Sequence, residues 1–166
     1  VNNTATGSMP TELGLLSNIV RLYLGMNALY EEIPSEIFDL TTLEVFSIEH
    51  NAFYQEIPSA LGLLTNLKIL GLADNYFFGT LPEELSNLEN LEYFLIFTNY
   101  DLTGPVPAEY NQLTNLAGIY MAETGITDDP DEDGLNRAFC WEGKEYEAFD
   151  ADCDVKCSCC TMDCWG

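Results

Sequence analysis

"NALYEEIP" stands at Asn27 to Pro34, returns as "NAFYQEIP" at Asn51 to Pro58, and again as "NYFFGTLP" at Asn75 to Pro82. Outward from these phrases, asparagines at 3, 27, 51, 75 and 99 keep a spacing of 24 residues, as do prolines at 10, 34, 58 and 82. Between the phrases apolar residues recur in one frame: Leu40, Leu43, Phe46, Ile48 and Phe53, then Leu64, Leu67, Leu70, Leu72 and Phe77. A fixed period of this length marks a solenoid, in which one turn cannot bury its apolar face but stacked turns can. Alternation such as Leu70-Gly71-Leu72 predicts a short strand with every second residue inward, stacked on its neighbours into a parallel sheet. Leu22, Phe46, Leu70, Phe94 and Ile119 should then form one internal column. Each asparagine is placed to satisfy backbone groups where the chain leaves the strand. Each proline opens a short helical or 3₁₀ return segment.

The frame L-x-x-L-x-L-x-x-N-x-L-x-G-x-I-P resembles the plant-type leucine-rich repeat, from Asn3 to about Ile126. That resemblance implies an α/β class fold, a right-handed solenoid with a parallel sheet on its concave face. It slips once through an extra residue in "NYDLTGPVP". It slips again where Thr124 takes the ladder position, so the expected division is a solenoid over 1–127 and an acidic loop with a cysteine-rich cap over 128–166. Asn3 already occupies a ladder position. The chain therefore opens inside a repeat, which reads as part of a longer polypeptide or as an edge covered by another copy.

All six cysteines, Cys140, Cys153, Cys157, Cys159, Cys160 and Cys164, fall in the final segment. An even count in a short acidic tail reads as a disulfide-linked plug made in an oxidising compartment, hence a secreted, extracellular protein. The tail resembles the endings of secreted microalgal leucine-rich-repeat proteins, carried by F-x-A-D-C and C-S-C-C-T. A thiolate metal cluster is the weaker reading, because zinc spacing is lacking. Asn2 begins the sequon Asn2-Asn3-Thr4, a glycosylation acceptor on a secretory route. Asp129, Asp131 and Asp133 reproduce the opening of an EF-hand loop, but Cys140 stands where the bidentate glutamate belongs. A weak Ca²⁺ site and an acidic solvated loop are both compatible with that. No cofactor is required.

With 28 acids against 5 bases and a formal charge of −23, the 166-residue chain would be repelled by nucleic acid and by anionic lipid surfaces. No apolar run approaches the roughly 18 residues a membrane span needs, so no membrane insertion is expected. His50, the only histidine, lies beside Glu49 without an activated serine or cysteine. A hydrolase is therefore the weakest of the readings, and no catalytic residue is assigned.

Placing the repeats in register puts Tyr23, Val45, Ile69, Tyr93, Leu95, Phe97 and Tyr120 on the outward side of the sheet, an apolar and aromatic strip that reads as an interface. Tyr30, Tyr54 and Phe78 share another repeat position and should stack as an aromatic ladder along one flank. The chain is thus expected to be a non-catalytic interaction module that binds a protein, peptide or glycan ligand. The alternative is a subunit that associates with itself into a filament or matrix.

Overall fold

The computed structural model describes residues 4–127 and 148–150. Short strands β2 (Arg21–Tyr23), β4 (Val45–Ser47), β6 (Ile69–Gly71), β8 (Tyr93–Leu95), β10 (Gly118–Tyr120) and β12 (Ala148–Asp150) form one parallel six-stranded sheet. Leu22, Phe46, Leu70, Phe94 and Ile119 pair in register across it, and all five are buried. Each such side chain contributes about 1.5–3 kcal/mol relative to exposure, so the column holds coil to coil. The sheet continues beyond residue 127, where the solenoid was expected to give way to the cap: Ala148–Asp150 pairs with Gly118–Tyr120.

The return segments are five 3₁₀ helices of five residues each, η1 (Thr11–Leu15), η2 (Ser35–Asp39), η3 (Ser59–Leu63), η4 (Glu83–Asn87) and η5 (Ala108–Gln112), each with proline at its N-cap. No α-helix occurs among the described residues, so of the helical or 3₁₀ returns expected it is the 3₁₀ form that is found. With so few residues per return, i→i+3 bonding covers more length per residue than an α-turn. On η5 the repeat's apolar position carries Tyr110, fully buried, whose hydroxyl donates to the Pro82 carbonyl of the preceding coil at 3.0 Å. Burial pushes that phenol's pKa well up.

A second line of strands, β1 (Thr6–Ser8), β3 (Ala28–Glu31), β5 (Ala52–Phe53), β7 (Phe78–Gly79), β9 (Asn99–Pro105) and β11 (Thr124–Thr127), follows the asparagines. The Asn75 amide donates to Ile48, Leu72 and Ala73 carbonyls at 3.0–3.1 Å while its oxygen accepts from the Phe53 amide. Asn51 and Asn99 repeat the pattern. Asn51, Asn75 and Asn99 therefore each tie their own turn to the one before it. Thr124 keeps a reduced version, donating to the Met121 carbonyl. In the fifth phrase the register shifts between Thr124, which pairs with Asn99, and Gly125, which pairs with Thr103, so β9 carries three more residues than β11 there, a local bulge.

A further row of cross-coil bonds is exposed. Thr42, Asn66, Asn90 and Asn115 donate to the carbonyls of Ser17, Thr41, Thr65 and Glu89 respectively.

Candidate functional site

Outward residues of the six-stranded sheet enclose a shallow groove of about 470 Å³, lined by Tyr23, Ser47, Glu49, Ile69, Tyr93, Leu95 and Tyr120. In-register pairing produces it, 24 residues apart from β2 to β8 and 25 between β8 and β10, because a side chain on each of five successive strands meets the same line. Between the rings of Tyr93 and Tyr120 the floor is Gly118, where a Cβ would lie 3.0 Å from Tyr93 Cδ1 and 3.2 Å from Tyr120 Cε2. Five of the residues read from the sequence as an interface therefore converge: Tyr23, Ile69, Tyr93, Leu95 and Tyr120. Phe97 is half-buried but outside the lining. Val45, expected on the exposed strip, is buried instead. Its short branched side chain lies between Arg21 and Ile69 on the neighbouring strands, and longer neighbours cover it.

Two lining residues escaped the sequence reading, Ser47 and Glu49. The Ser47 hydroxyl donates to Glu49 Oε2, which holds the carboxylate across the sheet. Gly71 makes that possible, since a Cβ there would fall 2.6 Å from Glu49 Cδ and overlap Oε1. The only cue was a glycine in a strand interior, where close approach of another group is one usual reason.

At the strand exits Met26, His50, Asp74, Thr98 and Glu123, one per coil, hold positive φ between 51° and 57°. None is glycine, so the turn is paid for in backbone strain, most for the β-branched Thr98. Their side chains pair along the edge. His50 Nδ1 lies 3.1 Å from Asp74 Oδ2, and Glu123 Oε2 accepts from Thr98 at 3.2 Å and from Tyr100 at 2.9 Å. The hydrogen bond to Glu123 raises the Tyr100 phenol's pKa above its ordinary value. His50 is thereby tied to a carboxylate, not to a nucleophile.

The flank ladder is partial. Tyr54 and Phe78 meet with ring centres 4.9 Å apart, but Tyr30 makes no ring contact with Tyr54. Along this flank Tyr30 pairs with Ala52 and Glu56 with Phe78, both two residues out of the 24-residue frame. The better stacked pair is internal, Phe53 on Phe77 at 6.5 Å and 13°. A larger hollow of about 540 Å³ beside Tyr54 includes Glu31, Glu32 and Pro34, but it draws on the first coils alone.

Asn2, Asp129, Asp131, Asp133 and the cysteines Cys140, Cys153, Cys157, Cys159, Cys160 and Cys164 lie outside the described residues. Among the described residues no three histidine, cysteine or acidic side chains gather to hold a metal, and no helix is long and apolar enough to cross a membrane.

The family model described as Leucine Rich Repeat matches residues 66–88. The fold is a leucine-rich-repeat solenoid. The plant peptide hormone receptor RGFR1, solved with RGF2, is 29% identical with a TM-score of 0.78, over 88% of this chain and 22% of that one. The ectodomain of the membrane receptor kinase GASSHO1/SCHENGEN3 from Arabidopsis thaliana, in complex with CASPARIAN STRIP INTEGRITY FACTOR 2, is 29% identical at TM-score 0.79, over 91% and 18%. A plant ice-binding protein is 28% identical at TM-score 0.70, over 74% and 39%. The chain spans about a fifth of the length of the two receptor chains. No curated protein matches it.

Proposed function

We propose that this chain is an extracellular, non-catalytic interaction module that binds a peptide or protein segment along its sheet face. One observation carries the reading: Tyr23, Ser47, Ile69, Tyr93 and Tyr120 reach a single groove from five successive strands. Aromatic rings in a depression supply large contact area at low entropic cost, which is what an interface needs at its centre. The similarity to receptor structures solved with peptide hormones supports the same class of ligand. Included in the proposal are a disulfide-linked cap, a glycan on Asn2 and an optional Ca²⁺ at Asp129 to Asp133.

A displayed random-peptide library selected on the intact chain is expected to yield binders that the double variant Tyr93→Ala/Tyr120→Ala holds at least about tenfold more weakly, with an unchanged circular dichroism spectrum. Binders that ignore the double variant would place the interface elsewhere. A glycan array, and light scattering at high concentration, cover the glycan ligand and self-association.

The exposed Thr42, Asn66, Asn90 and Asn115 row favours a second reading. Regularly spaced hydroxyl and amide groups suit an ordered water lattice, and an ice-binding protein shares the architecture. On that reading the chain depresses ice growth and Asn66→Leu/Asn90→Leu abolishes the effect; ice growth unaffected by the parent chain ends it.

A further inference from the structure

We infer that the groove takes a cationic side chain of the partner peptide, an arginine guanidinium or a lysine ammonium, with Glu49 as counter-charge and Tyr93 and Tyr120 as walls. The inference rests on the sheet face being the binding surface. It deepens that reading by naming what the surface selects.

Glu49 differs from Glu44 and Asp74 at the sheet's margins, which pair with Lys68 at 3.0 Å and with His50. Glu123 accepts hydroxyls, as Glu49 does, but is not among the groove's lining residues. Glu49 accepts a neutral hydroxyl from Ser47 and has no cationic partner among the described residues. Arg21 is on the same sheet but does not line the groove. A carboxylate in a depression of tyrosines, isoleucine and leucine is an unbalanced charge in a place where ligand binding would strip its water.

That arrangement discriminates between ligands. An apolar segment closing the groove would bury Glu49 unpaired, which costs more than the contact returns. An acidic segment would add like-charge repulsion both there and from the chain's formal charge of −23. A cation reverses each of these terms: it neutralises the carboxylate, keeps hydrogen-bond donors for its remaining lone pairs, and rests against tyrosine rings whose π-systems attract positive charge within about 6 Å. Guanidinium suits the site best, being planar, forked and weakly hydrated. The geometry is prepared in advance, because Gly71 and the Ser47 hydroxyl hold the carboxylate across the sheet and Gly118, lacking a Cβ, lets the rings of Tyr93 and Tyr120 settle over its strand.

The probes are capped Gly-Arg-Gly, its lysine counterpart and its citrulline counterpart, which keeps the shape of arginine without the charge. Titration is followed through the ring resonances of Tyr93 and Tyr120. The arginine and lysine peptides are expected to shift those resonances, and citrulline to bind at least about fivefold more weakly. Glu49→Gln preserves the shape and the Ser47 contact and is expected to weaken the arginine peptide about fivefold or more. Glu83→Gln, on the exposed first turn of η4, reports the diffuse field alone and should stay within about twofold. Equal binding of arginine and citrulline overturns the inference while leaving a peptide-binding sheet face standing, and so does an equal effect of Glu49→Gln and Glu83→Gln. If no probe moves the tyrosine resonances at about 20 mM, below the affinity range of useful recognition, the inference fails; if library-selected peptides also ignore Tyr93→Ala/Tyr120→Ala, the proposed function fails with it.

Discussion

Replacing Asn99 with alanine is expected to lower the unfolding free energy by about 3–5 kcal/mol, because it strips partners from buried backbone groups, the Phe77 amide and the Ile96 carbonyl foremost, while the Leu72 carbonyl keeps its bond from Asn75. The Phe77 amide donates to Asn99 Oδ1 at 3.0 Å, and the amide nitrogen of Asn99 supplies the Ile96 carbonyl at 2.9 Å and the Leu72 carbonyl at 3.1 Å. Asn99 is fully buried, so no water replaces the lost bonds. Asn27→Ala is the internal comparison. That residue is partly exposed, and its bond from Ala5 is exposed too, so a loss of only about 1 kcal/mol is expected there. Denaturant unfolding of both variants measures the difference. Equal losses would mean that the ladder contributes no more than an ordinary surface bond.

The second large effect is expected at Gly62. A Cβ there would meet the next coil's backbone, 2.8 Å from the Glu84 carbonyl carbon and overlapping its oxygen. Backbone cannot swing aside as a side chain would, so Gly62→Ala must force η3 from η4, at a cost of about 2–4 kcal/mol. Leu63→Ala in the same 3₁₀ segment removes an exposed side chain and should change stability by under about 1 kcal/mol. Thermal melts of the two, side by side, decide it. A Gly62→Ala melting temperature within about 1 °C of the parent would show that the coils have slack on that side.

The internal column and the asparagine ladder were legible because each depends on one residue recurring at one spacing. Phe46 and Asn75 are dictated by period and polarity alone. Val45 misled because pattern reports which way a side chain points, not how far its neighbours reach over it. Of the Tyr30, Tyr54 and Phe78 ladder, the Tyr54–Phe78 step was legible in the repeat position the rings share, and nothing in the structure explains why Tyr30 stays out of it. Glu49 was visible only as a neighbour of His50. Its importance comes from Gly71 on the next strand, and nothing in the sequence links those two positions. The left-handed turns at Met26 and Thr98 were hidden for the opposite reason: the residue type that would announce them is missing. The bonds of Asn66, Asn90 and Asn115 were not legible in the sequence, because each depends on a carbonyl one coil away.

The return segments carry one more consequence. On the sheet side hydrogen bonds fix the spacing between coils at about 4.8 Å, but on the 3₁₀ side the spacing is set by whatever stands between one coil and the next. Gly14 lets η1 lie against Glu36 of η2, and Gly62 lets η3 lie against Glu84 of η4, whereas the equivalent position of the second coil carries Phe38, a buried ring. Two tight joints thus flank one that is wedged open. The ring stands at the joint between the second and third coils, and on the opposite side that joint runs beneath the β4–β6 boundary where Glu49 reaches over Gly71. One repeat position on the back of the molecule therefore works as a shim that sets how far the front closes around whatever it holds.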